Sequence, residues 1–256
     1  MTKFFEITGR KVLNFFQEFG QVAILLIGIV KSLPHIPKSK RNLLYQMEHI
    51  GVNSLPLVLI IAVFTGAVAA WQAAYQLKGL APMSILGGTT SRAIITELGP
   101  VLTGIVIAGR VGASIAAELG TMKVTEQIDA LEIMGIPPVR FLAMPRVVSS
   151  VIMMPVLVVF ANAIAVFGAF VVSNYFMGVS FQVFFISVRK FFIFSDFTAG
   201  LIKTVTFGMV TALLGCHIGF HTSGGAEGVG QATIRSFVMS AALILILDYF
   251  LWMLIF

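Results

Sequence analysis

Apolar residues in this chain gather in long blocks separated by short polar breaks. Five blocks reach about 20 residues, the length that crosses a bilayer as a helix: 52–74, 90–117, 147–170, 197–218 and 234–256. Lys78, Gly79 and Pro82 mark a short turn after the first block, and Gly99-Pro100 interrupts the second. The longest polar stretch of the interior, 118–146, ends in Pro137-Pro138 and Pro145. Residues 182–196, with Arg189 and Lys190, read as a loop or short surface helix, and a glycine-rich turn spans 219–230. The pattern predicts an all-α integral membrane protein of about five spans.

The opening segment follows a different rule. From Phe4 to Val30 apolar residues recur at helical spacing (Phe4, Phe5, Val12, Phe15, Phe16, Phe19), while Lys3, Glu6, Arg10, Asn14, Gln17 and Gln21 fill the other face. That is the pattern of an amphipathic helix lying in a membrane surface. A signal peptide with 22–30 as its apolar core is the rival reading. Glu6, the long polar lead-in and the lack of a small-residue cleavage site argue against it. Residues 31–41 then carry Lys31, Lys38, Lys40 and Arg41 with Pro34 and Pro37, a basic linker. The chain divides into an interfacial helix and linker over 1–41 and a transmembrane bundle over 42–256, together one domain.

Composition agrees. Of 256 residues 58% are hydrophobic and 11% charged, against roughly 25% charged in globular proteins. A single cysteine, Cys216, excludes an internal disulfide and a cysteine-based metal site. The net charge of +6 fits cations gathered on the cytoplasmic side, so no nucleic-acid partner is expected. With the N-terminus inside, Lys3, Arg10, Lys11, Lys31, Lys38, Lys40, Arg41, Lys123, Arg140, Arg146 and Arg235 face the cytoplasm. Lys78, Arg92, Arg189 and Lys190 fall outside. Five spans then leave the C-terminus on the far side.

Within 118–146, Ile128, Leu131 and Met134 (with Ile133) fall on one helical face, and Glu126, Asp129 and Glu132 lie elsewhere. Thr125 fits an N-cap, and Gly135 before two prolines fits a stop. A short amphipathic helix between two spans suits docking into a groove on a soluble partner, or resting on lipid. The residues here, Ala116-Ala117-Glu118-Leu119-Gly120-Thr121-Met122, Glu126-Gln127-Ile128-Asp129-Ala130-Leu131-Glu132 and Met134-Gly135, closely resemble the permease family of Mce-associated ABC transporters, the MlaE/YrbE group. Glu97-Leu98-Gly99-Pro100-Val101-Leu102-Thr103-Gly104, Ala108-Gly109-Arg110-Val111-Gly112, Thr65-Gly66, Gln72 and Gln76-Leu77 match the same family. The resemblance covers most of the chain. It implies a homodimer in the bacterial inner membrane that moves phospholipid and contributes to outer-membrane lipid asymmetry. It implies a cytoplasmic ATPase partner that holds the ATP and magnesium, a periplasmic Mce-domain partner, and room for a small cytoplasmic accessory subunit. The chain itself then needs no cofactor. Glu126, Gln127, Asp129, Leu131, Glu132, Met134 and Gly135 would form the helix that couples to the ATPase.

Gly104, Ala108, Gly112, Ala116 and Gly120 recur every four residues, a ladder that lets helices approach closely within the protomer or across a dimer. Gly99 and Pro100 form a candidate hinge, since proline removes a backbone hydrogen bond. Glu97, Lys203 and Asp248 fall at membrane depth, where a charge costs at least about 2.5 kcal/mol and marks a function by default. All three are expected in the outer half of the membrane, either as a structural pair such as Lys203 with Asp248 or as a polar patch facing a lipid headgroup. The resemblance matches all three in context. It departs at Thr96, where some relatives carry a basic residue.

Trp71 and Tyr75, one turn apart, read most simply as interface aromatics, with lining of a lipid cavity as the alternative. His217 and His221 are spaced i,i+4, but no third ligand lies nearby, so polar anchoring is the stronger reading and no metal is expected. Gly224-Gly225-Ala226-Glu227-Gly228 has no Walker-type lysine and is not a nucleotide site. Two other classes compete. A lipid-modifying enzyme would use Glu97 or His217 as a base and needs a nucleophile or metal cluster that the sequence does not display, so no catalytic residue is assigned. A proton-coupled carrier would use Glu97, Lys203 and Asp248 as a relay.

Overall fold

A computed structural model describes residues 2–255, with side chains other than those of residues 2–12, 14, 15 and 38. The amphipathic assignments to Phe4, Phe5, Val12, Phe15, Lys3, Glu6, Arg10 and Asn14 lie outside the described side chains. Every described element is helical. In chain order they are α1 (Thr2–Ser32), a 3-10 segment (Leu33–Ser39), α2 (Lys40–Ile50), α3 (Leu55–Leu77), α4 (Leu86–Ala93), α5 (Gly99–Ile107), α6 (Ala113–Val124), α7 (Gln127–Ile133), α8 (Met144–Met177), α9 (Phe181–Phe191), α10 (Phe194–Phe220) and α11 (Gly225–Ile255). Wide π turns, Ile94–Leu98 and Ala108–Gly112, join α4, α5 and α6 into one rod, and a third, Val139–Ala143, leads into α8. The five predicted spans correspond to α3, the α4–α6 rod, α8, α10 and α11. The rod and α10 both run from the end of the bundle that carries α9 to the end that carries α7.

Glycine decides how close these helices come. A Cβ on Gly66 of α3 would stand 1.8 Å from the Ala165 carbonyl oxygen of α8, and one on Gly168 would stand 2.4 Å from that of Val63. The two glycines let α3 and α8 touch backbone to backbone, the packing that replaces the hydrophobic drive helices lack in lipid. The ladder on the α4–α6 rod packs within the protomer. A Cβ on Gly104 would meet Phe207 at 3.2 Å, one on Gly112 would meet Thr211 at 3.0 Å, and one on Gly120 would meet Thr222 at 3.0 Å. Ala108 and Ala116 are wholly buried. A second ladder, Gly200, Gly208, Gly215 and Gly219 on α10, answers it and reaches α8 as well. Ser236 of α11 closes the seam by donating to the Gly112 carbonyl at 2.9 Å.

Several boundaries differ from the sequence expectation. Six segments, not five, are long and apolar enough to cross a membrane, the sixth being Phe16–Pro37 of α1 and its extension. Glu18 and Lys31 are its only Asp, Glu, Lys or Arg residues, and the segment of 22 residues meets the length and hydropathy criterion. Both ends of that segment nevertheless abut the α7 end of the bundle. Glu18 pairs with Arg235 at 2.6 Å and Gln21 lies beside His221 and Gly228, while Ser39 lies beside Gly135 and Arg140. The basic linker is helical rather than open. Thr125 does not cap α7: it ends α6, donating to the Thr121 carbonyl at 2.8 Å, and Glu126 takes the N-cap in left-handed conformation, φ 61°. Gly135 does stop the helix, with φ +73°; its N–H reaches the Glu132 carbonyl at 2.9 Å and that of Ile136 reaches Leu131 at 2.9 Å, a Schellman motif. Nor does Gly99-Pro100 break the second span. The helix continues through it as a widened turn, described next.

Candidate functional site

Pro100 has no N–H to offer the carbonyl one turn back, so the helix widens locally: the Gly99 N–H donates instead to the Ile94 carbonyl, five residues back. Such single π turns gather at functional sites. Glu97 sits in this one. The missing Cβ of Gly99 leaves room for Asn162 of α8, whose Oδ1 lies 1.7 Å from where that Cβ would be.

The three charges predicted at membrane depth come together. Lys203 of α10 is 0% exposed; its Nζ donates to Glu97 Oε1 at 2.6 Å and stands 2.9 Å from Asp248 Oδ1 of α11 in an ion pair not aligned as a hydrogen bond. Glu97 and Asp248 keep 34% and 19% of their side chains exposed. The indole of Trp252 completes the shell, its ring centre 4.9 Å from the ammonium. An ammonium wholly out of water is tolerable only when paired and bonded, and here two carboxylates and an aromatic face provide that. With all three groups ionised the cluster carries one excess negative charge.

Trp252 also lines a groove of about 490 Å³ with Thr89, Arg92, Ala93, Thr96, Phe191 and Asp196, at the α9 end. Arg92 Nε donates to Asp196 Oδ2 at 2.8 Å, and Arg92 stays half exposed while Asp196 is buried. The groove therefore offers the half-exposed Arg92, paired with Asp196, on one wall and approaches an acid-rich cluster through Trp252 on another, with Thr89, Thr96, Ala93 and Phe191 completing the lining. Thr96 faces it with its hydroxyl committed to the Arg92 carbonyl at 2.9 Å.

Trp71 and Tyr75 do not line this groove. Both are exposed on α3, and Trp71 packs edge-on against Phe176 with ring centres 5.4 Å apart. The His217 and His221 rings lie 4.5 Å apart, tilted by 45°, and His221 Nδ1 contacts the His217 carbonyl at 2.8 Å. Among the described residues no three His, Cys, Asp or Glu side chains come together as a metal site.

At the opposite end, the expected single apolar face of α7 is split. Ile128 is buried and Leu131 half-buried, but Ile133 is 88% exposed and Met134 is exposed beside Glu126, Gln127 and Glu132. Asp129 turns back to Lys123 at 2.7 Å. Arg146, almost wholly buried at the start of α8, reaches Glu118 of α6 at 3.0 Å and the Leu142 carbonyl at 2.9 Å, clamping together the two helices between which α7 hangs.

Comparison with known proteins decides the family. Residues 43–254 match the family described as "Permease MlaE". The chain belongs to the MlaE permease family. A probable ABC transporter permease protein of Rickettsia typhi is 35% identical over 98% of this chain and 96% of its own length. Another from Synechocystis is 39% identical over 85% of this chain and 83% of its own length. The intermembrane phospholipid transport system permease protein MlaE of Haemophilus influenzae is 33% identical over 98% of this chain and 97% of its own length. The MlaE match contains the whole Lys203 cluster and α7; α1 and the following 3-10 segment lie before it.

Four participants escaped the sequence reading. Trp252 is one turn after Asp248 and Asp196 two turns before Lys203, spacings that put each on the face of a residue already singled out. Arg92 was counted only as a charge on the far side. Arg110, in the second π turn, donates to Ser54 Oγ and to the His49 carbonyl at 3.5 Å; its position inside an apolar block was the available signal.

Proposed function

We propose that this chain is the membrane-spanning permease subunit of an ATP-driven phospholipid transporter in a bacterial inner membrane. The reading rests first on the Lys203 cluster. A wholly buried lysine held by two partly exposed acids at membrane depth, beside a groove that carries its own Arg92–Asp196 pair, is costly as scaffolding and suited to a headgroup of mixed charge. The name of the Haemophilus influenzae relative supports phospholipid as cargo, and the names of the rickettsial and cyanobacterial relatives support an ATP-binding partner. Cations at the α7 end (Lys31, Lys123, Arg140, Arg146 and Arg235) support a cytoplasmic α7 end by the positive-inside rule. The groove then opens toward the periplasm, where an Mce-domain partner would hand lipid to or from it and so sustain outer-membrane asymmetry. The exposed Ile133 and Met134, rimmed by Glu126 and Glu132, are the contact for the ATPase, which holds ATP and magnesium. Two copies of the chain enclose the path, and the widened turn at Gly99-Pro100 is the hinge that ATP-driven closure would use.

The test is purification of the tagged protein in mild detergent with mass spectrometry of proteins and lipids, repeated with Glu126→Lys/Glu132→Lys and with Glu97→Gln/Asp248→Asn. An ATPase and an Mce protein are expected to arrive with phospholipid. The first pair should shed only the ATPase; the second should deplete the lipid, read against a thermal melt because it also strands the Lys203 ammonium. Arrival without any ATPase before mutation would sink the reading.

A further inference from the structure

A second polar cavity, of about 400 Å³, lies at the α7 end, far from the Lys203 cluster. It is lined chiefly by Ser39, Arg41 and Asn42 at the start of α2 and by Gly135, Arg140 and Phe141 after α7. None of its lining residues is acidic. Arg41 and Arg140 come from separate segments, and neither forms an ion pair among the described residues, whereas Arg92, Arg146 and Arg235 each find a carboxylate. Two unneutralised guanidinium groups on one cavity, with no local counter-charge, define a site for an anion.

Depth identifies the anion. Val139, next to Arg140, touches α1, where a Cβ on Gly28 would stand 3.3 Å from the Val139 side chain. From there the chain carries exposed Ile24, Ile27, Val30 and Leu33 toward Ser39; Phe141 on the cavity wall, and Leu44 and Tyr45 further along α2, are also exposed. Such side chains need acyl chains beside them. A cavity at their level holding two free arginines is placed where lipid phosphates lie. We propose that it binds the phosphoryl group of an anionic phospholipid of the surrounding leaflet, a site separate from the transport groove. Arg41 and Arg140 take the phosphate, and acyl chains run past Phe141 and Leu44. A lipid held there joins the start of α2 to the exit of α7 and makes the α7 connector responsive to the anionic lipid around it. The proposal needs only that the chain spans a membrane with α1 lying along its surface; it does not depend on the cargo.

The experiment uses full-length protein in phosphatidylcholine nanodiscs doped with phosphatidylglycerol. Native mass spectrometry counts retained phosphatidylglycerol, and thermal melting in the same discs checks the fold. Arg41→Gln/Arg140→Gln is expected to cut retention by about tenfold or more, the effect of losing charge-assisted hydrogen bonds. Arg189→Gln/Lys190→Gln, which removes the same charge from the α9 end, should leave it unchanged. Glycerol 3-phosphate is titrated into discs without phosphatidylglycerol as the second arm. Saturable binding lost in the Arg41/Arg140 variant, with lipid retention unaltered, would keep the phosphoryl site but overturn the lipid as its source. Unaltered retention and no glycerol 3-phosphate binding would overturn the site itself.

Discussion

Lys203 is the residue on which the membrane-depth chemistry turns, because it alone of the three charges has no contact with solvent. Its partners differ: Glu97 and Asp248 are both partly accessible, so either loses less when unpaired. Glu97→Gln or Asp248→Asn alone leaves the ammonium one carboxylate and should lower thermal stability only modestly. The double change strands a wholly buried charge, for which the loss is about 3–5 kcal/mol. Thermal melts in detergent should therefore rank the double variant well below the sum of the singles. Strict additivity would show that the two acids do not share the lysine. The sequence made this trio legible because charges inside apolar blocks stand out. It left the pairing open between one structural couple and a headgroup patch, and the structure gives all three in contact beside a groove. Trp252 and Arg92 stayed hidden for a physical reason: a tryptophan and an arginine near a span end are ordinary interface residues until a third helix brings them to the same place.

At the scale of elements, glycines and surface side chains make opposite predictions. Gly66→Ala must push α3 off α8, because the new Cβ would overlap the Ala165 carbonyl, and should cost about 1–3 kcal/mol. Gly230→Ala, with nothing within 4 Å of its Cβ, should be nearly silent; thermal melting compares the two directly. On α7, Ile133→Glu/Met134→Glu should abolish ATPase co-purification while the melt stays at the wild-type value, since both side chains are already exposed. Ile128→Glu, at a buried position, should lower the melt itself. Element positions followed from apolar block length, and the α7 stop followed from Gly135. The α7 start did not. Thr125 has the chemistry of a cap, yet its hydroxyl bonds back to Thr121 within α6, a local competition that residue type alone does not decide. The π turns were hidden too: Gly99-Pro100 signals a disturbed helix, and only packing against Asn162 selects a widened turn over a break.

For the whole molecule the open contest is α1, whose apolar segment is long enough to make a sixth crossing. A helix that crosses must place its ends about 30 Å apart along the membrane normal. Here Glu18 and Gln21, near the start of the segment, meet Arg235 and the turn after α10, while Ser39, just past its end, meets Gly135 and Arg140. All of these belong to the α7 end, so both ends of the segment are tied to one side of the bundle. The expected arrangement lays the exposed side chains Phe16, Phe19, Ile24 and Ile27 against the membrane surface rather than through it. Cysteine labelling distinguishes the two arrangements, starting from a Cys216→Ala background, since the one native thiol is buried. Gln17→Cys and Ser39→Cys should react from the same side as Glu132→Cys and opposite to Lys78→Cys. Labelling of Gln17→Cys from the Lys78 side would mean that α1 crosses. Six spans would then put both termini on one side, and the surface-level argument for the Arg41 and Arg140 cavity would lose its reference.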